Sequence, residues 1–332
     1  MATPTPELFG SPHPAISVIL PVLNEESHLE DAVHSILSQD YHGAIEVILA
    51  VGPSHDRTLE IAQSISRRDP RVVIVENPSG RTAAGLNLAL RTSQSPVVVR
   101  VDGHAQIPHN YLSLVVEILN STGAVNVGGV MAAVGKTPFE KAVAGAMRSP
   151  LGVGASRFHT GGEAGVVDTV YLGAFRREAL LAIGGFDERF TRAQDWELNF
   201  RLRENGGIVY FDPRLHVTYR PRSTVKALAK QYFEYGRWRR VVSRRHAGTI
   251  NLRYLAPPVA LIGFIASVVA GIFAPILFTP AVIYLLFVLA ASLSIASSIR
   301  EYFLLLAVIP TMHFAWGAGF ISSPKTLVPA SE

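Results

Sequence analysis

Asp102-Gly103-His104 is the sharpest chemical pattern in the chain, because it directly follows a run of β-branched residues that ends at Val101. A carboxylate and an imidazole two residues apart at the end of a strand can both face one divalent cation. Mg²⁺ and Mn²⁺ commonly take few ligands from the protein and the rest from phosphates and water. The alternative is an Asp-Gly turn in which the carboxylate bonds to its own backbone. The spacing alone does not decide between them.

A second acidic cluster, Gln194-Asp195-Trp196-Glu197, lies far downstream at the start of a helical pattern. An acidic residue in the first turn of a helix usually stabilises the helix N-terminus. The alternative is a general base close to the metal site. On local grounds the pattern favours the capping interpretation.

The elements that would position these residues are short β-branched runs separated by amphipathic helices. The predicted strands are Ile16–Leu20, Ile45–Val51, Val72–Val75 and Val97–Val101, and the predicted helices include Asp56–Ser66 and Thr82–Arg91. Alternation of strands and helices at this interval predicts a doubly wound α/β sheet. Ligands of such sheets bind beyond the carboxyl ends of the strands.

The polar segments at those strand ends narrow the class of ligand. Pro21–Glu26 follows the first strand, Gly52–Thr58 follows the second, and Gly80–Gly85 opens the helix after the third. The sequence contains neither a G-x-G-x-x-G fingerprint nor a P-loop, so neither type of nucleotide site is supported. Gly80–Gly85 includes Arg81 and could bind an anion through its backbone N–H groups, although such a segment is more often an ordinary helix start.

Charge and hydropathy divide the chain into three parts. The formal charge is +4, but residues 220–253 hold ten Lys and Arg against Glu234 alone, a local charge of +9 that leaves −5 for the rest. From 254 to 321 only Arg300 and Glu301 are charged. This order predicts a polar domain, a basic collar at a membrane surface and a membrane anchor. The chain has no cysteine, which excludes disulfide frameworks, zinc fingers, iron–sulfur clusters and thiol catalysis.

Three apolar runs, 257–278, 280–299 and 302–321, are each long enough to cross a bilayer. The basic residues before the first run predict a cytoplasmic N-terminal part, and three crossings would place the tail outside. The predicted segments are a disordered N-terminus (1–14), a catalytic domain (15–219), a basic interfacial segment (220–253), about three transmembrane helices (254–321) and a tail (322–332).

A nucleic acid is the competing partner for the basic segment, and the adjoining apolar runs favour membrane lipids instead. No signal-peptide pattern precedes Pro14.

Five segments occur in an order that resembles family 2 glycosyltransferases of the GT-A fold, most closely the membrane-attached glucosyltransferases of the succinoglycan-biosynthesis type. These segments are Pro21–Glu26, Ser54–Thr58, Asp102–His104, Gly173–Asp187 and Gln194–Glu197. The resemblance covers residues 15–250 and a similar apolar C-terminal tail. It implies an α/β GT-A domain followed by transmembrane helices, and transfer of a sugar from a nucleoside-diphosphate sugar.

The resemblance also assigns roles to single residues. Asp195 takes the position of the catalytic base of inverting members, and Asp102 and His104 take that of the DxD-like site for Mg²⁺ or Mn²⁺. The implied nucleotide-sugar site comprises Pro21, Asn24, Glu26, Asp56, Arg81 and Asp102. Gln231, Arg237 and Trp238 resemble a loosened QxxRW element, which points either to donor binding or to an interfacial helix.

Two details qualify these roles. Many members carry an acidic residue that binds uracil where this chain has Val51-Gly52-Pro53-Ser54, so uridine specificity stays open. Arg176 and Arg177 could face a diphosphate, but the better interpretation is that they solvate the surface of a helix.

The expected protein is therefore a glycosyltransferase of the plasma membrane with a cytoplasmic catalytic domain, acting on a lipid-linked or membrane-proximal glycan acceptor. A polyprenyl-phosphate monosaccharide synthase is the first alternative, and the acidic cluster at Asp195 disfavours it because a phosphate acceptor needs little help from a base. Processive polymerisation would need a compact QxxRW element and more spans. A membrane receptor or channel subunit would need paired polar residues in its spans, and the apolar runs hold almost none.

Overall fold

The computed structural model describes residues 9–328, which form two units. We call residues up to 132 together with 161–218 the sheet unit, and residues 133–160 together with those from 219 onward the helical unit. The segment 133–160, expected within the catalytic domain, thus groups with the C-terminal helices. Residues 1–8 of the expected disordered N-terminus and 329–332 of the expected tail lie outside the described residues.

In the described part of the chain, eight strands form one mixed sheet. They are β1 Ile16–Val22, β2 Ile45–Val51, β3 Val72–Glu76, β4 Val97–Arg100, β5 Asn126–Ala133, β6 Gly165–Val166, β7 Tyr171–Arg176 and β8 Val209–Tyr219. The spatial order is β3-β2-β1-β4-β7-β5-β8-β6. The first four strands of that order are parallel, and β7 pairs antiparallel with both β4 and β5. β1 and β4 are central and almost wholly buried, which is why they read as continuous apolar runs.

The helices are distributed over both units. In chain order they are α1 Leu29–Leu37, α2 Thr58–Arg68, α3 Thr82–Thr92, α4 Tyr111–Thr122, α5 Pro138–Met147, α6 Pro150–Val153, α7 Arg157–Thr160, α8 Arg177–Ala182, α9 Gln194–Glu204, α10 Val225–Arg245, α11 Leu252–Gly271, α12 Thr279–Ile295 and α13 Ile299–Ser322. A 3-10 turn, Pro275–Phe278, leads into α12.

The sheet unit has an apolar cluster on each face of its sheet. One cluster takes Leu29 and Val33 from α1, together with the alternate residues of β1 that face them. The other takes Leu86 from α3 and Leu198 and Leu202 from α9. Side chains that alternate along a strand point to opposite faces, so the central strands supply both clusters. This is the two-sided packing expected of a doubly wound sheet. At the chain start, Phe9 packs against the first cluster.

Within residues 9–328, the helical unit contains three helices that are long and apolar enough to cross a membrane, judged by length and composition alone. They are α11, the 3-10 turn together with α12, and α13. Upstream of them, Thr224 caps the start of α10, and its side chain accepts a hydrogen bond from the Ala227 N–H at 3.2 Å. α5 begins with a capping box formed by Thr137 and Glu140.

Candidate active site

The loops that follow β1, β2, β3 and β4 pack against one another at a single edge of the sheet. A Cβ atom on Gly52 would lie 3.1 Å from the Cα of Gly80, so these two loops approach backbone to backbone. A Cβ on Gly103 would lie 3.0 Å from side-chain atoms of Glu25 and Val22. The glycines permit this close approach, which gathers the chemical residues of four strand ends in one place.

Asn24 joins the first two loops. Its backbone N–H donates to Ser54 Oγ at 3.0 Å, and its Oδ1 accepts from the His55 N–H at 2.9 Å. Asn24 has φ of +56°, in the left-handed region. Asparagine is one of the few non-glycine residues that visit this region readily, and the two hydrogen bonds hold it there.

Asp56 ties the same two loops together from the other side. Its carboxylate accepts hydrogen bonds from the Glu26 N–H at 3.1 Å, the Thr58 N–H at 3.0 Å and the Thr58 hydroxyl at 2.5 Å. The Thr58 hydroxyl oxygen in turn accepts from the Glu25 N–H at 2.7 Å. Glu26 accepts from the Arg57 N–H at 3.1 Å. The residues expected to bind the nucleotide therefore also build the frame of the loops.

Pro21 and Arg81 lie at the same edge. Pro21 is half-buried in β1, and Arg81 is the exposed residue just before α3. The Arg81 N–H donates to Ser79 Oγ at 3.1 Å, and its carbonyl accepts from Asn77 Nδ2 at 3.1 Å. The backbone of Arg81 is thus fixed while its guanidinium faces solvent.

Arg100, the last residue of β4, bridges the two acidic clusters. Its Nε and Nη2 donate to Asp102 Oδ1 at 3.1 and 3.0 Å. Its Nη1 donates to Asp195 Oδ1. The Arg100 side chain is only 7% exposed. One buried guanidinium therefore brings together Asp102 and Asp195, which are far apart in the sequence.

The charges of this triad shift the pKa values of its members. Burial alone would lower the pKa of Arg100, but the carboxylates of Asp102 and Asp195 outweigh it, and the guanidinium stays charged. Burial raises the pKa of Asp195; Arg100 offsets part of this rise and Asp102 adds to it, so the pKa is about 6. A carboxylate with a pKa near neutrality can both accept and release a proton at working pH.

Asp195, the second residue of α9, makes no capping hydrogen bond to that helix. The residue before α9, Ala193, has φ of +60°, and no side chain caps the helix there. The Asp195 carboxylate instead accepts from Arg100 and from the Leu172 N–H. Leu172 is itself left-handed, with φ of +59°. The Asp195 carboxylate therefore makes no capping hydrogen bond: it lies in the first turn of α9, where an acidic residue favours the helix N-terminus, but it is turned toward Arg100 on β4.

The segment Asp102–His104 has the donor chemistry that a divalent cation needs. Asp102 Oδ1 is engaged by Arg100, while no residue of 9–328 hydrogen-bonds to its Oδ2. His104 Nδ1 lies 2.8 Å from Glu25 Oε1. A carboxylate on one ring nitrogen commonly orients a histidine whose other nitrogen binds a metal. Within the described chain no three His, Asp or Glu side chains form a complete ligand set, so phosphates and water would have to supply the remaining ligands, as Mg²⁺ and Mn²⁺ allow.

Gln231, Arg237 and Trp238 lie on α10, in the helical unit. Gln231 Nε2 donates to the hydroxyls of Tyr219 at 2.7 Å and Tyr235 at 2.8 Å. Arg237 donates to Glu234 at 2.9 Å, and Trp238 is buried. These contacts hold α10 in place within its own unit.

Comparison with known proteins identifies the family to which the chain belongs. Residues 17–184 match the family model "Glycosyl transferase family 2". The succinoglycan biosynthesis protein ExoA of Rhizobium meliloti (strain 1021) is 33% identical over 317 residues, which cover 91% of this chain and 93% of ExoA. The chain belongs to glycosyl transferase family 2. It is thus a glycosyltransferase, and the family resemblance seen in the sequence is confirmed.

A further relative and two solved structures extend the comparison. A Methanococcus voltae enzyme named dolichyl N-acetyl-alpha-D-glucosaminyl phosphate 3-beta-D-2,3-diacetamido-2,3-dideoxy-beta-D-glucuronosyltransferase is 23% identical and covers 77% of this chain and 82% of its own. The mannosyltransferase PcManGT of Pyrobaculum calidifontis, solved with GDP-Man and Mn²⁺, superposes with a TM-score of 0.58 at 20% identity, covering 94% of this chain and 87% of PcManGT. TarS 1-349 of S. aureus, solved with UDP-GlcNAc, gives a TM-score of 0.52 at 15% identity, covering 90% and 89%. The GT-A-type fold of this family 2 enzyme is confirmed.

Two residues of this glycosyltransferase site escaped the sequence analysis. The sequence pattern assigns Arg100 to the buried strand β4, and its charge next to three valines is the only feature that distinguishes it. Glu25 stands between Asn24 and Glu26 in a polar loop, and nothing in its spacing singles it out as the partner of His104. A charged residue at the end of an otherwise apolar strand was the available signal for Arg100.

Proposed function

We propose that this glycosyltransferase is attached to the plasma membrane and transfers a sugar from a nucleoside-diphosphate sugar to a lipid-linked or membrane-proximal glycan, with inversion at the anomeric carbon. The observation that carries the proposal is the bridge from Arg100 to both Asp102 and Asp195. A candidate base with a pKa of about 6 thereby lies next to Asp102, the carboxylate that we propose for the cation. Relatives named for succinoglycan biosynthesis and for a dolichyl-phosphate-linked sugar support an acceptor of this class.

The donor would lie over the gathered strand ends. Asn24, Glu26 and Asp56 would shape the nucleoside side of the pocket through the loop frame that they build. Pro21 would line it, and the exposed Arg81 would face the diphosphate. PcManGT and TarS were solved with GDP-Man and UDP-GlcNAc, respectively, and such nucleotide sugars are the donors to test first.

Asp102 and His104 would hold Mg²⁺ or Mn²⁺, with Glu25 orienting the imidazole. Such a cation stabilises the negative charge that develops on the departing diphosphate. The Asp102 carboxylate keeps one oxygen for this purpose, because Arg100 uses the other. PcManGT, which shares the fold, was solved with Mn²⁺.

Asp195 would act as the general base. An acceptor hydroxyl within hydrogen-bond reach would give its proton to the carboxylate while its oxygen forms a bond to the anomeric carbon. The bond from that carbon to the phosphate oxygen breaks, and the electron pair leaves with the diphosphate. One displacement inverts the carbon. Arg100 and the Leu172 N–H would hold the carboxylate in position for this step.

Attachment to the membrane follows from the helical unit. Its long apolar helices come after a segment with a local charge of +9, whose Lys and Arg suit an anionic inner leaflet. By the positive-inside bias the sheet unit would then be cytoplasmic. This location favours an acceptor held at the membrane surface.

The experiment is a donor and acceptor screen with the purified protein in detergent. Nucleotide sugars are supplied with Mn²⁺ and with lipid extracts, and donor consumption and product mass are measured. Asp195→Asn should bind donor normally and lose transfer by about 10²- to 10⁴-fold, the usual contribution of a general base. Transfer at a near-normal rate by this variant would refute the role of Asp195. A product in which the sugar is linked directly to polyprenyl phosphate would identify a monosaccharide synthase instead.

A further inference from the structure

The last long helix, α13, has the length and composition of a membrane span. Its contacts nevertheless place both of its ends at the same depth along the hairpin formed by α11 and α12. Its 24 residues extend about 36 Å at 1.5 Å per residue, more than the hydrocarbon layer. A spanning helix of that length would have to carry its two ends to opposite surfaces. The neighbours of each end show whether it does.

The depth of the N-terminal end of α13 can be worked out from the antiparallel pairing of α11 and α12. Ser267 donates to the Leu277 carbonyl at 2.6 Å and accepts from the Ala281 N–H at 3.1 Å. Further along α12, the ring of Tyr284 lies 5.7 Å from that of Phe264. Later residues of α12 therefore lie beside earlier residues of α11. Continued at the same rise, this antiparallel pairing brings the end of α12 level with the first turn of α11.

The C-terminal end of α13 lies at the same depth as the start of α11. The ring of Trp316 stacks on Tyr254, in the first turn of α11, with centroids 6.4 Å apart. A Cβ on Gly317 would lie 2.7 Å from the carbonyl oxygen of Pro257. The end of α13 thus lies beside the start of α11, and its beginning, which follows the end of α12, is at about the same depth.

The end of α13 also packs against the basic helix α10. A Cβ on Gly319 would lie 2.0 Å from the Phe233 carbonyl oxygen, so the two backbones touch there. The guanidinium of Arg240 lies 5.0 Å from the centroid of the Phe320 ring. Arg244 donates to the carbonyl of Ser323 at 3.0 Å. A helix end that contacts two arginines belongs at a polar surface, because a charged side chain in the hydrocarbon layer is costly.

The exposure of apolar side chains also distinguishes α13 from α11 and α12. α11 and α12 expose large apolar residues along their whole length, as lipid-facing spans do. Within α13 the exposed large apolar residues are Ile299, Phe303 and Ile321, which stand near its two ends. In its most apolar window 39% of the residues are buried, compared with 17% for α11 and 22% for the segment containing α12.

We propose that α11 and α12 cross the bilayer as a hairpin and that α13 lies along the membrane surface on the side of α10, in contact with lipid headgroups and the upper acyl region. The protein then crosses the membrane twice, not three times as its hydropathy predicts, and Lys325 and Thr326 are on the same side as the basic helix. This inference rests on the proposed membrane attachment and is independent of the sugar and the acceptor.

The native chain has no cysteine, so single cysteines report topology without background. Three exposed positions are compared: Ser121→Cys in the sheet unit, Thr279→Cys at the tip of the hairpin and Thr326→Cys beyond α13. Each is expressed in bacterial cells and treated with a membrane-impermeant maleimide before and after lysis. We expect Thr279→Cys to react in intact cells, and Ser121→Cys and Thr326→Cys to react only after lysis.

Labelling of Thr326→Cys in intact cells, like Thr279→Cys, would overturn the surface position of α13. Lys325→Cys, also exposed, is the second position in case the first variant does not accumulate. If all three variants react only after lysis, the hairpin does not cross, and both the two-crossing topology and membrane attachment through these helices are wrong. If Ser121→Cys and Thr326→Cys react in intact cells and Thr279→Cys does not, the proposed orientation of the catalytic part is wrong.

Discussion

Replacing Arg100 with lysine tests the bridge on which the proposed mechanism depends. Lysine keeps the charge but replaces the fork of the guanidinium by a single ammonium group. Arg100 makes two bonds to Asp102 and one to Asp195, and one ammonium in that buried position cannot reproduce all three. We expect the variant to keep a contact with Asp102, which accepts two of the three bonds, and to lose the one with Asp195.

The size of the effect follows from that lost contact. A hydrogen bond between charged groups is worth about 1.5–3 kcal/mol, and about 1.36 kcal/mol corresponds to a factor of ten in rate. The kcat of Arg100→Lys should therefore fall by about 10- to 150-fold. Because Arg100 lowers the pKa of Asp195, losing the contact raises this pKa. A base works when ionised, so the acid limb of the pH–rate profile should move to higher pH.

The assay is steady-state transfer over a range of pH, together with thermal unfolding. Arg214→Lys is the matched control, since Arg214 also pairs with an aspartate two residues away, Asp212, but is half exposed. Surface ion pairs are worth at most about 1 kcal/mol, and the control should leave the profile unchanged. An Arg100→Lys enzyme with the control's kcat and an unshifted acid limb would refute the positioning role. A lower Tm with an unshifted acid limb would assign Arg100 to stability alone.

Three further predictions follow from the same site. The native enzyme should lose activity as the pH falls through about 6, because protonated Asp195 cannot accept a proton; a pH–rate profile that is flat through this region would contradict the assignment. Glu25→Gln should weaken Mn²⁺ binding in the presence of nucleotide by about 10- to 100-fold in calorimetry, because Glu25 holds His104. The exposed Glu60→Gln is its control, and equal affinities in the two variants would exclude this role. Ala193→Gly should raise the free energy of unfolding by about 1 kcal/mol in denaturant titration, because glycine adopts a positive φ without strain; a loss of stability would show that Ala193 is not strained.

The strands near the site were predictable because burial on both faces leaves a plain signal. β2 was predicted as Ile45–Val51 and has those bounds, and β4 was predicted one residue too long, as Val97–Val101. Runs of β-branched residues have few other stable environments. The polar residues that follow such strands could be named for the same reason, since the carboxyl ends of parallel strands meet at one edge.

The pairing of residues across the site was not predictable, because it depends on tertiary contacts. Arg100 belongs to β4 by pattern, and only the packing of α9 shows that it meets Asp195. Arg176 gives a second example. It was expected to solvate a helix, and that expectation is wrong: its guanidinium is buried and donates to the carbonyls of Ala124 at 2.8 Å and Leu119 at 2.7 Å. A buried arginine that satisfies backbone carbonyls looks the same in sequence as an exposed one.

Backbone strain at the site links its geometry to the choice of test variants. The non-glycine residues with positive φ in 9–328 are Asn24, Leu172 and Ala193, and each belongs to the site. A left-handed conformation costs a residue such as leucine about 1–2 kcal/mol, which the surrounding contacts must offset. For Leu172 that contact is the hydrogen bond from its N–H to Asp195. The carboxylate thus holds a strained segment of β7 while that segment holds the carboxylate.

Asp195→Ala would remove the acceptor and let Leu172 relax. Loss of activity in that variant could then come either from loss of the base or from rearrangement of the backbone. Asp195→Asn removes the basic carboxylate and its charge but keeps an acceptor oxygen for the Leu172 N–H, which makes it a better test of the base than Asp195→Ala.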